Sequence, residues 1–157
     1  MKNKSFFKSA ANAVHGFMSA LMRERNLRID LVVADLTLIF AYVYHLEPLG
    51  YAVLILTICT VMAAELFNTS VERLSDAVTG EYDENIKNAK DIAAASVFLT
   101  ASGSVIVGIC LFLTDIDKAV DAVMAIAFSK KLLILIAITL IIGLMFIVKF
   151  EKRKEDK

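Results

Sequence analysis

Four apolar runs, each fenced by polar or charged clusters, divide this chain. They are 31–46 (LVVADLTLIFAYVYHL), 49–67, 92–113 (IAAASVFLTASGSVIVGICLFL) and 132–148 (LLILIAITLIIGLMFIV). Each approaches the roughly 20 apolar residues that a helix needs to cross a bilayer, so four spans are expected. Ahead of them, 5–23 carries a polar stripe of Lys8, Asn12, His15, Ser19 and Arg23 beside Phe6, Phe7, Val14, Phe17, Met18 and Leu21. That pattern predicts an amphipathic helix lying on the membrane surface. Pro48 and Gly50 predict a tight turn between the first two spans. The helix of the second span should leave the bilayer and run to about Val78, with Gly80 as its end. A short polar loop over 80–91 follows, and KAVDAVMAIAF within 114–131 reads as a short helix. The tail KFEKRKEDK is highly charged and is expected to be disordered. The fold class is therefore all-α integral membrane.

Composition strengthens that reading. The 157 residues are 58% hydrophobic and the mean hydropathy is +0.67, whereas a soluble domain is about 45–50% apolar. Seventeen basic and seventeen acidic residues balance, so net charge points to no nucleic-acid partner. Cys59 and Cys110 lie in apolar runs without metal-ligand spacing and are expected to be buried thiols. The first residues lack the apolar core of a signal peptide. Lys2, Lys4, Lys8, Arg23, Arg25 and Arg28 precede the first span, and Lys149, Lys152, Arg153, Lys154 and Lys157 follow the last. The positive-inside rule then places both termini in the cytoplasm, with 78–91 on the same side, within reach of ATP. Within the first span, Asp35 is either a functional group or a carboxylate paired with an arginine near the interface. Ala, Ser and Gly in the third span suit close helix packing. The bulky fourth span should lie outside the bundle and be dispensable for catalysis.

Candidate chemistry concentrates in 61–91. Glu65, Asn68, Thr69, Glu72 and Asp76 fall within an arc of roughly 100° on one helix face. Carboxylates beside a bilayer-length apolar run are costly unless a cation or proton answers them. Lys90 and Asp91 return to the same interface, as does Glu24 in the charged segment RERNLRID. Carboxylates, an amide and a lysine can serve a Mg2+–nucleotide site. One carboxylate is then free to accept a hydroxyl proton, and the lysine to meet a transferred phosphoryl group. No Walker loop or soluble-kinase motif occurs. On these residues alone, a polar face lining an ion or proton path in a non-enzymatic oligomer stays open.

The pattern Glu65-Leu66-Phe67-Asn68-Thr69-Ser70-Val71-Glu72-Arg73-Leu74-Ser75-Asp76, followed by Lys90-Asp91 and preceded by Glu24, resembles the signature of the small prokaryotic diacylglycerol kinase/undecaprenol kinase family. The resemblance covers about residues 5–114. It implies a lipid kinase domain over 1–114 with a surface helix and a three-span core, assembled as a homotrimer in the bacterial inner (cytoplasmic) membrane. The reaction it implies is transfer of the γ-phosphoryl group of MgATP to a lipid hydroxyl. By the same resemblance Glu65 is the general base, Asn68 positions reacting groups, and Glu24 and Glu72 bind Mg2+. Asn12, Glu81, Tyr82, Asp83, Lys90 and Asp91 then contact the nucleotide, Lys90 on the phosphate side. RERNLRI is similar to the ERNFRIH of the undecaprenol kinase branch, so undecaprenol is the expected acceptor and diacylglycerol the alternative.

Two departures accompany the resemblance. Ser5 stands where diacylglycerol kinases carry an arginine, with Lys4 and Lys8 as possible substitutes, and Asp30 replaces the undecaprenol branch's histidine. Residues 115–157, with the fourth span, have no counterpart in the three-span core. They form a C-terminal extension.

Overall fold

A computed structural model describes the backbone of residues 2–78 and 82–155 and the side chains of 6–78 and 82–148. Six helices account for nearly all of it: α1 (Lys2–Arg23), α2 (Arg25–Val43), α3 (Pro48–Val78), α4 (Glu84–Phe112), α5 (Ile116–Phe128) and α6 (Lys130–Glu155). Helix α1 covers the segment expected to form an amphipathic helix. It stops at Glu24, whose extended backbone (φ −100°, ψ 121°) occupies the N-cap position of α2 without a side-chain cap bond.

Three helices, α3, α4 and α6, are long and apolar enough to cross a membrane. The first expected span is not among them. Helix α2 covers Arg25–Val43 rather than 31–46, and it holds Arg28, Asp30 and Asp35. Its apolar part, from Leu31, measures only about 20 Å at 1.5 Å per residue, against a hydrocarbon core of about 30 Å. Helix α3 is described to Val78, its expected extent. Its 31 residues give about 46 Å, so one end must project beyond the core. Helix α6 runs on through 149–155, so the tail expected to be disordered continues the last helix.

Local chemistry moves two other boundaries. The first turn lies at Tyr44–Glu47, before Pro48, because Pro48 opens α3, where its missing N–H costs nothing. His45 adopts φ 53°; its N–H donates to Tyr42 O (3.1 Å) and that of Leu46 to Ala41 O (3.0 Å). This is a Schellman closure with histidine at the position that usually favours glycine. Leu46 then presses on Gly50, where a Cβ would meet its side chain at 2.8 Å. Downstream, 84–91 is helical rather than loop. The Asp83 side chain accepts from the N–H groups of Asn85 (2.8 Å) and Ile86 (3.1 Å), and ENIKNAKD contains no helix breaker. Gly80, the expected helix end, lies outside the described residues.

Two apolar clusters hold the helices together. Next to the α2–α3 turn, Ala41, Tyr44, Leu54, Phe112, Ala119 and Ala122 join α2, α3, α4 and α5. Phe112 meets Phe40 and Tyr44 edge-on, at 5.1 and 5.3 Å between centroids. At the other end, Ala20, Leu21 and Leu27 pack with Phe17, Leu31, Met62, Leu66 and Phe146. Most remaining large apolar side chains face outward, as lipid-exposed helices require. Cys59 and Cys110 are free and exposed on these outer faces, not buried; an apolar run that faces lipid needs no protein cover. Hydroxyls within the spans bond back along their own helices, as Thr57 does to Val53 O and Thr60 to Leu56 O, both 2.8 Å. Asp35 is exposed.

Candidate active site

The polar face of α3 meets the α1–α2 joint where α3 runs past the second apolar cluster. Glu65 is buried, at 6% exposure, and its carboxylate lies in the field of three others, Asp30, Glu72 and Glu24. One turn on, Asn68 Nδ2 donates to Glu72 Oε1 (3.0 Å). Glu24 pairs with Arg73 at 3.2 Å, an ion pair that bridges 49 residues of sequence and ties the joint to α3. With both partners partly exposed, this bond orients more than it stabilises, about 0.2–1 kcal/mol.

Farther along, Lys90 Nζ on α4 donates to Asp76 Oδ1 on α3 at 2.9 Å. Capping by Asp83 starts α4 early enough to put Lys90 on a helix beside the end of α3. Asp91 pairs instead with Lys87, one turn back at 3.7 Å. The structure thus brings Glu24, Glu65, Asn68 and Glu72 together, with Lys90 reaching Asp76 from α4. Asn12 is exposed on α1 and Tyr82 is exposed before α4. Asp83 spends its carboxylate on the cap. Glu81 lies outside the described residues, as does the side chain of Ser5.

Three participants escaped the pattern. Arg73 lies off the α3 arc, and nothing local announces a partner 49 residues away. Arg28 is buried at 2% exposure and looks in sequence like one more interfacial cation. Asp30 attracted notice only as a replaced histidine, yet it stands beside Glu65. Its Oδ2 and the Oδ1 of Asn68 are buried oxygens with no hydrogen-bond partner among the described residues. From Asp30 an apolar groove of about 540 Å3 runs between α2, α3 and α4 to Phe112.

The sequence profile of the prokaryotic diacylglycerol kinase family matches residues 11–112. The chain belongs to that family. All members of the α3 cluster, with Glu24, Asn12, Lys90 and Asp91, fall inside the matched segment, while α5 and α6 fall beyond it. A diacylglycerol kinase of Synechocystis sp. is 43% identical over 99 residues, 62% of this chain and 57% of that protein. The chain therefore spans little more than half the length of that relative. An undecaprenol kinase of Bacillus subtilis is 32% identical over 108 residues, 69% of this chain and 88% of its own length. A diacylglycerol kinase of Escherichia coli K12 is 27% identical over 99 residues, 63% of this chain and 81% of that one. Within the diacylglycerol kinase family, then, relatives named for two different lipid acceptors both match this chain.

Proposed function

We propose that this protein is an ATP-dependent lipid kinase of the bacterial cytoplasmic membrane. It transfers the γ-phosphoryl group to a lipid hydroxyl at the cytoplasmic face. The observation that carries the reading is a buried Glu65 set among Asn68, Glu72 and Glu24 at the mouth of an apolar helix group. A carboxylate there can accept a proton from a hydroxyl that approaches out of lipid. As the lipid oxygen bonds to the γ-phosphorus, its proton passes to Glu65. The bond from that phosphorus to the β,γ-bridging oxygen breaks, and ADP leaves with the electron pair.

Among the described residues no three His, Cys, Asp or Glu side chains form a metal cage. Mg2+ does not need one, because it commonly takes one or two carboxylates plus substrate phosphates and water. Glu24 and Glu72 supply two such carboxylates, and the unpartnered Asn68 Oδ1 adds a hard oxygen beside them. These residues fit the ion, which when bound neutralises charge on the phosphates. Lys90, from α4, meets phosphate charge, and by the family resemblance Asp91, Glu81, Tyr82, Asp83 and Asn12 contact the rest of the nucleotide. In this reading α2 also crosses the membrane, both termini are cytoplasmic and the subunits form a homotrimer. The open side of α4 at Gly103 supports assembly: a Cβ there would meet nothing within 4 Å, so another helix has room to approach.

For the acceptor, we favour undecaprenol on the strength of RERNLRI and the match over 88% of the B. subtilis protein. Diacylglycerol is the second reading, favoured by the 43% identity to the Synechocystis protein. The groove running from Asp30 suits an apolar chain of either kind. Purified protein offered MgATP and each lipid alcohol in mixed micelles tests both levels of the proposal. Phosphorylation of neither lipid rejects the kinase, and a clear preference for diacylglycerol reverses the acceptor.

A further inference from the structure

The helix added after the family-matched segment returns to the joint that carries Glu24. Arg28 Nη1 donates to Leu21 O (3.3 Å) and Met22 O (3.1 Å). These are last-turn carbonyls of α1, acceptors that a helix leaves without an internal partner. Its guanidinium also faces the Phe146 ring of α6, 6.0 Å from the centroid. One turn earlier on α6 and one turn later on α2, Gly143 meets Val32. A Cβ at Gly143 would fall 2.6 Å from Val32 Cγ2, so the Val32 side chain occupies space that only a glycine leaves open. The pairs Val32–Gly143 and Arg28–Phe146 set the two helices antiparallel and in one register. Phe146 also packs on the cluster of Ala20, Leu21 and Leu27, which flanks Glu24 on both sides.

We propose that Phe146 is a positioning residue: it holds Arg28 against the end of α1 and so fixes the angle at which the joint presents Glu24. The extension beyond residue 112 thereby acts on the site from outside the family domain. The consequence for catalysis rests on the assignment of Glu24 to Mg2+ under the proposed function; the mechanical part does not. Phe146→Leu keeps apolar bulk and removes the ring, and Phe146→Tyr keeps the ring.

Two measurements on the full chain decide it: amide hydrogen exchange across 20–28, and the Mg2+ dependence of phosphoryl transfer at saturating ATP. Phe146→Leu should speed exchange across 20–28 and raise the half-saturating Mg2+ concentration by roughly three- to tenfold, the scale of a lost partly buried cation–π contact. The maximal rate at high Mg2+ should stay near that of the parent, and Phe146→Tyr should behave as the parent in both measurements. Unchanged exchange in Phe146→Leu overturns the proposal. So does unchanged Mg2+ dependence in Phe146→Leu when Glu24→Gln shifts it. If Glu24→Gln leaves Mg2+ dependence unmoved, the metal assignment fails, and exchange alone then decides the role of Phe146.

Discussion

Glu65 and its neighbours divide the work by what each side chain is already bonded to. Glu24 and Glu72 are each held by one donor, Arg73 and Asn68, and each keeps an oxygen for a further partner. Among the described residues Glu65 makes no such pair, and it is the most buried of the three. Replacing Glu65 with Gln keeps shape and removes the proton acceptor. Turnover should fall by about 10²–10⁴ while the fold and nucleotide binding persist. Substantial turnover in well-folded Glu65→Gln would reject it as the base. The other two carboxylates should behave differently. Glu24→Gln or Glu72→Gln should raise the Mg2+ concentration needed for half-maximal rate, since each removes an anionic oxygen from a hard-cation site. Titrating Mg2+ at fixed ATP checks this, and an unchanged midpoint in both variants would put the metal elsewhere. Lys90→Ala separates the enzyme from a non-catalytic polar oligomer, because only the enzyme loses function with that lysine.

At the scale of elements, α4 shows how one side chain places another. Asp83 caps the helix, the cap makes 84–91 helical, and the helix carries Lys90 to Asp76. Losing such a cap costs about 0.5–2 kcal/mol. Asp83→Ala should fray the start of α4 and raise the KM for ATP, whereas Asp83→Asn, also a good cap, should restore it. A KM that rises equally in both variants would mean that the Asp83 charge meets nucleotide directly, as the family resemblance implies. Helix α3 was legible from sequence because its apolar run passes without a break into a polar arc of helical period, which predicted both its length and its face. The start of α4 was not. DENIKNAKD reads as loop by its polarity, and only the cap reveals a helix. Helix α2 was legible only in part: its apolar centre from Leu31 reads as a span, whereas the helix already begins at Arg25, with Arg28 and Asp30 at the joint. The Glu24–Arg73 and Arg28–Phe146 contacts join distant segments, and no local periodicity marks them.

For the whole molecule, the open matter is what α5 and α6 add to a family domain that ends at residue 112. Bulk and lack of charge made the fourth span look like an outer, dispensable helix. Much of α6 does face outward, yet Gly143 and Phe146 bring its inner side onto α2. Helix α5 acts at the opposite end. Ala119 and Ala122 pack on Tyr44 and Phe112, and Lys118 lies 4.5 Å over the Tyr44 ring while donating to His45 O at 3.2 Å. That contact braces a turn whose histidine has left-handed backbone, a region uncommon for residues other than glycine. The two additions therefore support opposite ends, and their removal should have separable effects. A chain stopped after Ser129 loses α6 alone. It should still fold and transfer phosphate at high Mg2+, but with a raised Mg2+ requirement, because the joint at Glu24 has lost Phe146. A chain stopped after Thr114 loses α5 as well. It should show the same Mg2+ shift and a further drop in melting temperature, from exposure of Tyr44 and Phe112 and release of His45. Thermal melts and Mg2+ titrations of the two truncations against the full chain measure both. If the second truncation matches the full chain in melting temperature and in Mg2+ response, the family domain is self-sufficient and the extension only anchors the basic tail.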